Sequence, residues 1–208
     1  KSADNLKKLG GNVKKIISVG SLFMERGLYK RKDVNKFEIY DLLVFASNHD
    51  GSAHSGYNSY YDDYYTHFEW IKKFSKEFPK FEICIKLKKI LTDQKVKKLF
   101  DECQNIHIII DTTKEISDTY YIADKAKALC TWSSTLGYEF IGSGKECYFL
   151  DPNLKNTGFI PNDEFILPTK VKNYEEFKEK IVNKILGKND DKILKKKEKF
   201  CFPSQNVS

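Results

Sequence analysis

The chain has 208 residues, of which 40% are hydrophobic, 31% charged and 14% aromatic. This is enough apolar material for one buried core; no run approaches the roughly 18 to 20 apolar residues of a spanning helix, and so rich an aromatic content excludes a disordered chain. The net charge of +7, from 36 basic against 29 acidic residues, is not interleaved with stacking aromatics in any recognisable module, so no nucleic-acid partner is expected.

Short apolar runs alternate with longer amphipathic segments along the chain. The runs are Lys15–Val19, Asp41–Ser47, Glu82–Leu87, Ile106–Ile110, Ala126–Thr131 and Cys147–Leu150. Most are continuous rather than alternating in polarity, the pattern of strands covered on both faces. Between and after them lie helix candidates at Tyr60–Glu77, Asp93–Glu102, Lys114–Asp124, Thr135–Ser143 and Tyr174–Leu186. This cadence predicts an α/β, doubly wound, mostly parallel sheet of about six strands with helices on both sides. Asp151–Pro168 holds three of the five prolines and reads as a long loop before the last helix. The expected organisation is a single domain over residues 1–187, followed by a basic helix or tail over 188–208.

Doubly wound sheets bind ligands beyond the carboxyl ends of their strands. The residues that fall there are Gly20-Ser21, Asn48-His49-Asp50-Gly51, Lys86-Leu87-Lys88, Asp111-Thr112-Thr113 and Ser133-Ser134-Thr135. Hydroxyls, lysines and glycines without an acid pair suit an anion. The most informative stretch is Ala128–Asp151, ALCTWSSTLGYEFIGSGKECYFLD. A buried strand there runs into Ser133-Ser134-Thr135, where a hydroxyl can cap the next helix and leave N–H groups free for a phosphate. An ordinary serine cap on a crossover helix would look the same.

The string SSTLGYEFIGSGKECYFLD resembles the donor-site segment of GT-B glycosyltransferases and their epimerase relatives. Those proteins have a strand, a Ser/Thr or Gly turn, a helix bearing a Glu, then a Gly-Lys turn and another strand. Glu139, Gly144 and Lys145 stand at that spacing. The paired Ser133-Ser134 is most similar to bacterial surface-polysaccharide enzymes, and Val19-Gly20-Ser21 followed by Asp41–Ser47 resembles the start of the second Rossmann half. Two departures are plain: Glu146 replaces the proline usual after Gly-Lys, and Lys86-Leu87-Lys88 stands where several families carry a His-Pro pair.

The resemblance implies the Rossmann-like, donor-binding half of a GT-B enzyme that transfers a sugar or polyol phosphate from a nucleotide-activated donor in polysaccharide biosynthesis. Ser133, Ser134 and Thr135 would hold the donor phosphate and Glu139 the ribose hydroxyls, with Lys86 or Lys88 offsetting charge. The chemistry implied needs no metal and no cofactor beyond the nucleotide-sugar itself, because dipoles and basic side chains stabilise the leaving nucleotide. The expected partners are that donor, a glycan or lipid-linked acceptor and an amino-terminal half outside this sequence; the catalytic base is not identified. The start at Lys1, with Met24 the single methionine, is expected of a processed chain or of a piece of a longer polypeptide, the second being preferred.

Weaker signals stand beside these. The loop Asn48–Asn58 carries His49, His54 and Asp50 without metal-site spacing; Asn48 and His49, directly after a strand, are candidate substrate contacts, His49 touching phosphate or serving as an acid or base. Tyr57, Tyr61, Tyr64, Phe68 and Ile71 form a helical stripe expected to face the core. The five cysteines contain no CxxC pair and are expected to be reduced and structural, in a cytoplasmic protein. Lysines gather at Lys7-Lys8, Lys14-Lys15 and Lys192–Lys199; these are solvated faces or peripheral contacts with the inner face of a membrane. Two other functions suit the same sequence: a nucleotide-sugar epimerase, and a non-catalytic Rossmann-like interaction domain.

Overall fold

A computed structural model describes residues 39–46, 58–87, 94–110, 117–132, 134, 136–142, 145–152 and 169–188. The predicted strand at Lys15–Val19, the loop residues Asn48, His49 and Lys88, the hydroxyls Ser133 and Thr135, and the lysine-rich ends lie outside them.

Six strands form one sheet: β1 (Leu42–Ala46), β2 (Ile83–Leu87), β3 (Ile106–Ile110), β4 (Ala128–Thr131), β5 (Cys147–Leu150) and β6 (Lys170–Val171). Five helices follow the chain, α1 (Asn58–Glu77), α2 (Gln94–Phe100), α3 (Ser117–Lys125), α4 (Leu136–Gly142) and α5 (Tyr174–Ile185). The strand order is β3-β2-β1-β4-β5-β6, with every neighbouring pair parallel. The predicted Rossmann-like architecture is therefore the observed one. The sixth described strand is β6, a two-residue element that carries no readable periodicity.

The continuous apolar runs have the expected cause. Every residue of β1, β2, β4 and β5 is buried, because both faces of the sheet are covered. On one face Phe68, Ile71 and Phe74 of α1, Val96 and Phe100 of α2 and Phe177 and Ile181 of α5 pack against Leu42, Val44, Ile83 and Ile85. On the other, Tyr120, Ile122 and Ala123 of α3 and Phe140 and Ile141 of α4 meet Leu43, Phe45, Cys84 and Phe149. The lower half of the aromatic stripe in α1 is thus core, as its spacing predicts.

Polar side chains fix the margins of the layers. Asn105, ahead of β3, donates to the Phe81 carbonyl at 2.9 Å and accepts from Ser75 of α1. Asn173 caps α5 by accepting from Glu176 N at 2.9 Å. Among the described residues no helix is long and apolar enough to cross a membrane.

Candidate functional site

Successive strands run outward from β1 to β2 and β3, then from β4 to β5 and β6 on the other side. The order reverses between β1 and β4, and at such a point the two following loops diverge and open a crevice at the carboxyl edge. Phe45 and Thr131 pair across this seam, and Thr131 Oγ1 donates to the Phe45 carbonyl at 2.8 Å. In sequence, Asn48-His49 come after β1 and Ser133-Ser134-Thr135 after β4; of these Ser134 is the one among the described residues.

The foot of the β4 loop is held by rings. Trp132 is buried and stacks nearly parallel on His67 of α1, with centroids 5.4 Å apart and planes 5° apart. His67 is fully buried and also lies 4.0 Å from the Phe68 ring. No local pattern marks this histidine, since its partner is distant along the chain. Ser134 Oγ accepts from Leu136 N at 3.3 Å and the Ser134 carbonyl accepts from Gly137 N at 3.2 Å. It thereby takes the capping role its position before the helix implies.

Glu139 sits in the first turn of α4, half-buried. Its Oε2 accepts a hydrogen bond from the Tyr120 hydroxyl of α3, a partner no local spacing could reveal. Lys145 belongs to the opposite edge of the sheet, just before β5, where it pairs with Asp124 and donates to the Ala123 carbonyl at 3.0 Å. Its part in the Ser-to-Lys string is therefore to pin the end of α3.

Lys86 lies within β2, not beyond it, and is 5% exposed. Alternation puts it on the α3/α4 face with Cys84, in register with Phe45 and Ile109. Further along the same edge, Lys170 and Asp151 are both buried with Nζ and Oδ2 3.6 Å apart, and Asp151 N donates to the Val171 carbonyl at 2.7 Å. This pair joins β6 to β5.

Cys84, Cys103, Cys130 and Cys147 are free and buried. Burial pushes the Cys84 thiol up to about 12, against the opposing pull of Lys86, and raises Cys130 and Cys147 as well. At pH 8 a thiol of pKa near 12 is about one ten-thousandth thiolate, the reactive form. Cys84, Cys130 and Cys147 are accordingly expected to resist a thiol reagent such as DTNB in the native chain and to react only in urea; prompt native labelling of any of them, located by peptide mapping, would contradict that placement.

Strand order, the seam and the covering helices define a Rossmann-like α/β domain. Among solved structures the chain is similar to S. aureus MnaA in a complex with UDP, with 12% identity and a TM-score of 0.61 over 96% of this chain and 53% of that one. It is also similar to the UDP-GlcNAc 2-epimerase of Neisseria meningitidis bound to UDP-GlcNAc, with 16% identity and a TM-score of 0.59 over 93% and 52% of the two chains. TarM matches at 14% identity and a TM-score of 0.52, over all of this chain and 40% of the other. The chain spans about half the length of these structures. No family model and no curated protein matches the sequence.

Proposed function

We propose that the chain is the nucleotide-sugar-binding half of a two-domain GT-B-type enzyme, a glycosyltransferase taking a sugar or polyol phosphate from a nucleotide-activated donor. The observation that carries this is the β1/β4 seam: the Ser134-capped turn follows β4 at the edge where a doubly wound sheet takes its ligand, with Glu139 one helical turn further on. Half-length similarity to proteins solved with UDP and UDP-GlcNAc supports the donor class and a second half. In this reading residues 1–187 form the donor domain. Ser133, Ser134 and Thr135 hold the phosphates, Glu139 takes the ribose hydroxyls, Lys86 or Lys88 offsets charge, and Asn48 and His49 contact the substrate. The acceptor glycan or lipid and the group that activates it belong with the other half.

The names of the solved relatives favour a second reading, a nucleotide-sugar 2-epimerase on the same fold. The two readings differ in product. A transferase with its acceptor releases nucleotide and forms a glycoside, whereas an epimerase returns an isomerised nucleotide-sugar with no acceptor.

Titration of the purified chain with UDP, CMP, CDP and GDP tests the shared part. One nucleotide should bind saturably, and Ser134→Ala and Glu139→Ala should each weaken it about tenfold, the scale of one charge-assisted or capping hydrogen bond lost. A chain that binds none of the four, or binds equally well with both substitutions, is not a donor domain.

A further inference from the structure

Helices α3 and α4 both start at the carboxyl edge of the sheet, because each follows a strand that ends there. Tyr120 is the fourth residue of α3 and Glu139 the fourth of α4, so the two side chains meet about one turn below that edge. We propose that Tyr120 is a positioning residue for the ligand site: its hydroxyl fixes the Glu139 carboxylate through Oε2 and presents Oε1 to a ribose hydroxyl. The inference rests on the donor-site reading given above.

Three observations carry it. Tyr120 is 5% exposed and its ring packs edge-on against Phe140 at 5.8 Å, so the hydroxyl is delivered from a fixed ring. The phenol is held protonated, first by burial and then by the neighbouring carboxylate, and remains a donor at neutral pH. At the other end of the helix pair, Lys145 ties the segment after α4 to Ala123 and Asp124 of α3, so neither helix can slide to release the contact. A carboxylate already held in one rotamer loses less freedom when a ligand binds than one that must first be ordered.

A tie that merely joined two helices would weaken every ligand alike, whereas a positioning contact acts through the ribose. The full chain, Tyr120→Phe, Glu139→Gln and the double variant are titrated with UDP and with 2′-deoxy-UDP, each with a melting curve. The parent chain is expected to prefer UDP about tenfold, and Glu139→Gln to abolish that preference. Tyr120→Phe should reduce it about threefold or more while leaving 2′-deoxy-UDP binding nearly unchanged, and should add nothing in the Glu139→Gln background. Should Tyr120→Phe not fold, Glu139→Asp, which withdraws the carboxylate from Tyr120 but keeps its charge, reads the same ratio. Equal loss of both nucleotides in Tyr120→Phe, or an undiminished preference for UDP, overturns the positioning role alone. A preference that survives Glu139→Gln, or a parent chain that binds none of the four nucleotides, overturns the donor-site reading and this inference with it; where the nucleotide bound is another of the four, it and its 2′-deoxy form take the place of UDP in the comparison.

Discussion

Gly137→Ala is expected to destabilise the chain by about 2 kcal/mol, a change opposite in sign to the one helix propensity gives. Within a helix, alanine is ordinarily favoured over glycine by about 1 kcal/mol. At Gly137, however, a Cβ would lie 2.5 Å from Phe149 Cζ, 2.7 Å from its Cε1 and 3.1 Å from Thr131 Cγ2. Phe149 cannot retreat easily: it is fully buried in β5, between Thr131 and Lys170 in register, with Tyr138 packed on its ring at 4.9 Å. The helix must therefore lift off the sheet, and overpacking this severe costs about 3 kcal/mol, of which the propensity gain returns about 1. Because α4 carries both the Ser134 cap and Glu139, nucleotide affinity should fall with stability. Urea denaturation and UDP titration check the two effects. Gly187 is a useful contrast: nothing lies within 4 Å of its Cβ position, but its φ of 76° is left-handed, so alanine there is strained by backbone alone and should leave ligand binding untouched. An unchanged midpoint for Gly137→Ala would mean that α4 rides higher on the sheet than these contacts require.

The architecture was legible because burial on both faces leaves a plain mark. Runs such as LLVFA and CYFL have no polar face to alternate with, and β1 to β5 each fall inside a predicted run. β6 escaped because two residues, one of them the buried Lys170, make no pattern. Strand order is a different matter: β1 pairs with β4 across 86 residues of chain, and only the fold decides that Asn48 and Ser133 follow neighbouring strands. Within the site, what local spacing governs could be read, as with Ser134 two residues ahead of the N–H it caps. What a distant element supplies could not. Nothing near Glu139 in sequence announces Tyr120, nothing near Trp132 announces His67, and Gly137 looks like any helical glycine until Phe149 is placed beneath it. Lys86 shows the same limit from the other side, since a lysine near a strand end is ordinarily a surface residue and here it is enclosed.

Glu146 is the departure from the Gly-Lys-Pro pattern, and its consequence is the second large effect. The side chain is buried at the amino end of β5, where Lys184 of α5 reaches its Oε2 at 2.7 Å and the Tyr148 hydroxyl donates to the same oxygen at 3.3 Å; among the described residues Oε1 has no hydrogen-bond partner. Lys184→Met is expected to cost about 3–5 kcal/mol, the scale for stranding a buried charge. That is a large share of the roughly 5–15 kcal/mol that holds a typical domain folded. The converse, Glu146→Gln, should cost less, about 1–2 kcal/mol, because the Lys184 side chain is 18% exposed and its ammonium can turn to water. Glu146→Leu with Lys184→Met removes both charges, and its stability should return to within about 1 kcal/mol of the parent, since an apolar pair of similar volume commonly replaces a buried ion pair without loss. Urea denaturation of the four proteins gives the coupling directly. Additive single effects would mean that the two residues do not depend on each other. Strong coupling would explain how this chain accepts an acid where a proline, which needs no partner, usually stands: the acid is tolerable only because α5 crosses the amino end of β5 and brings Lys184 to it.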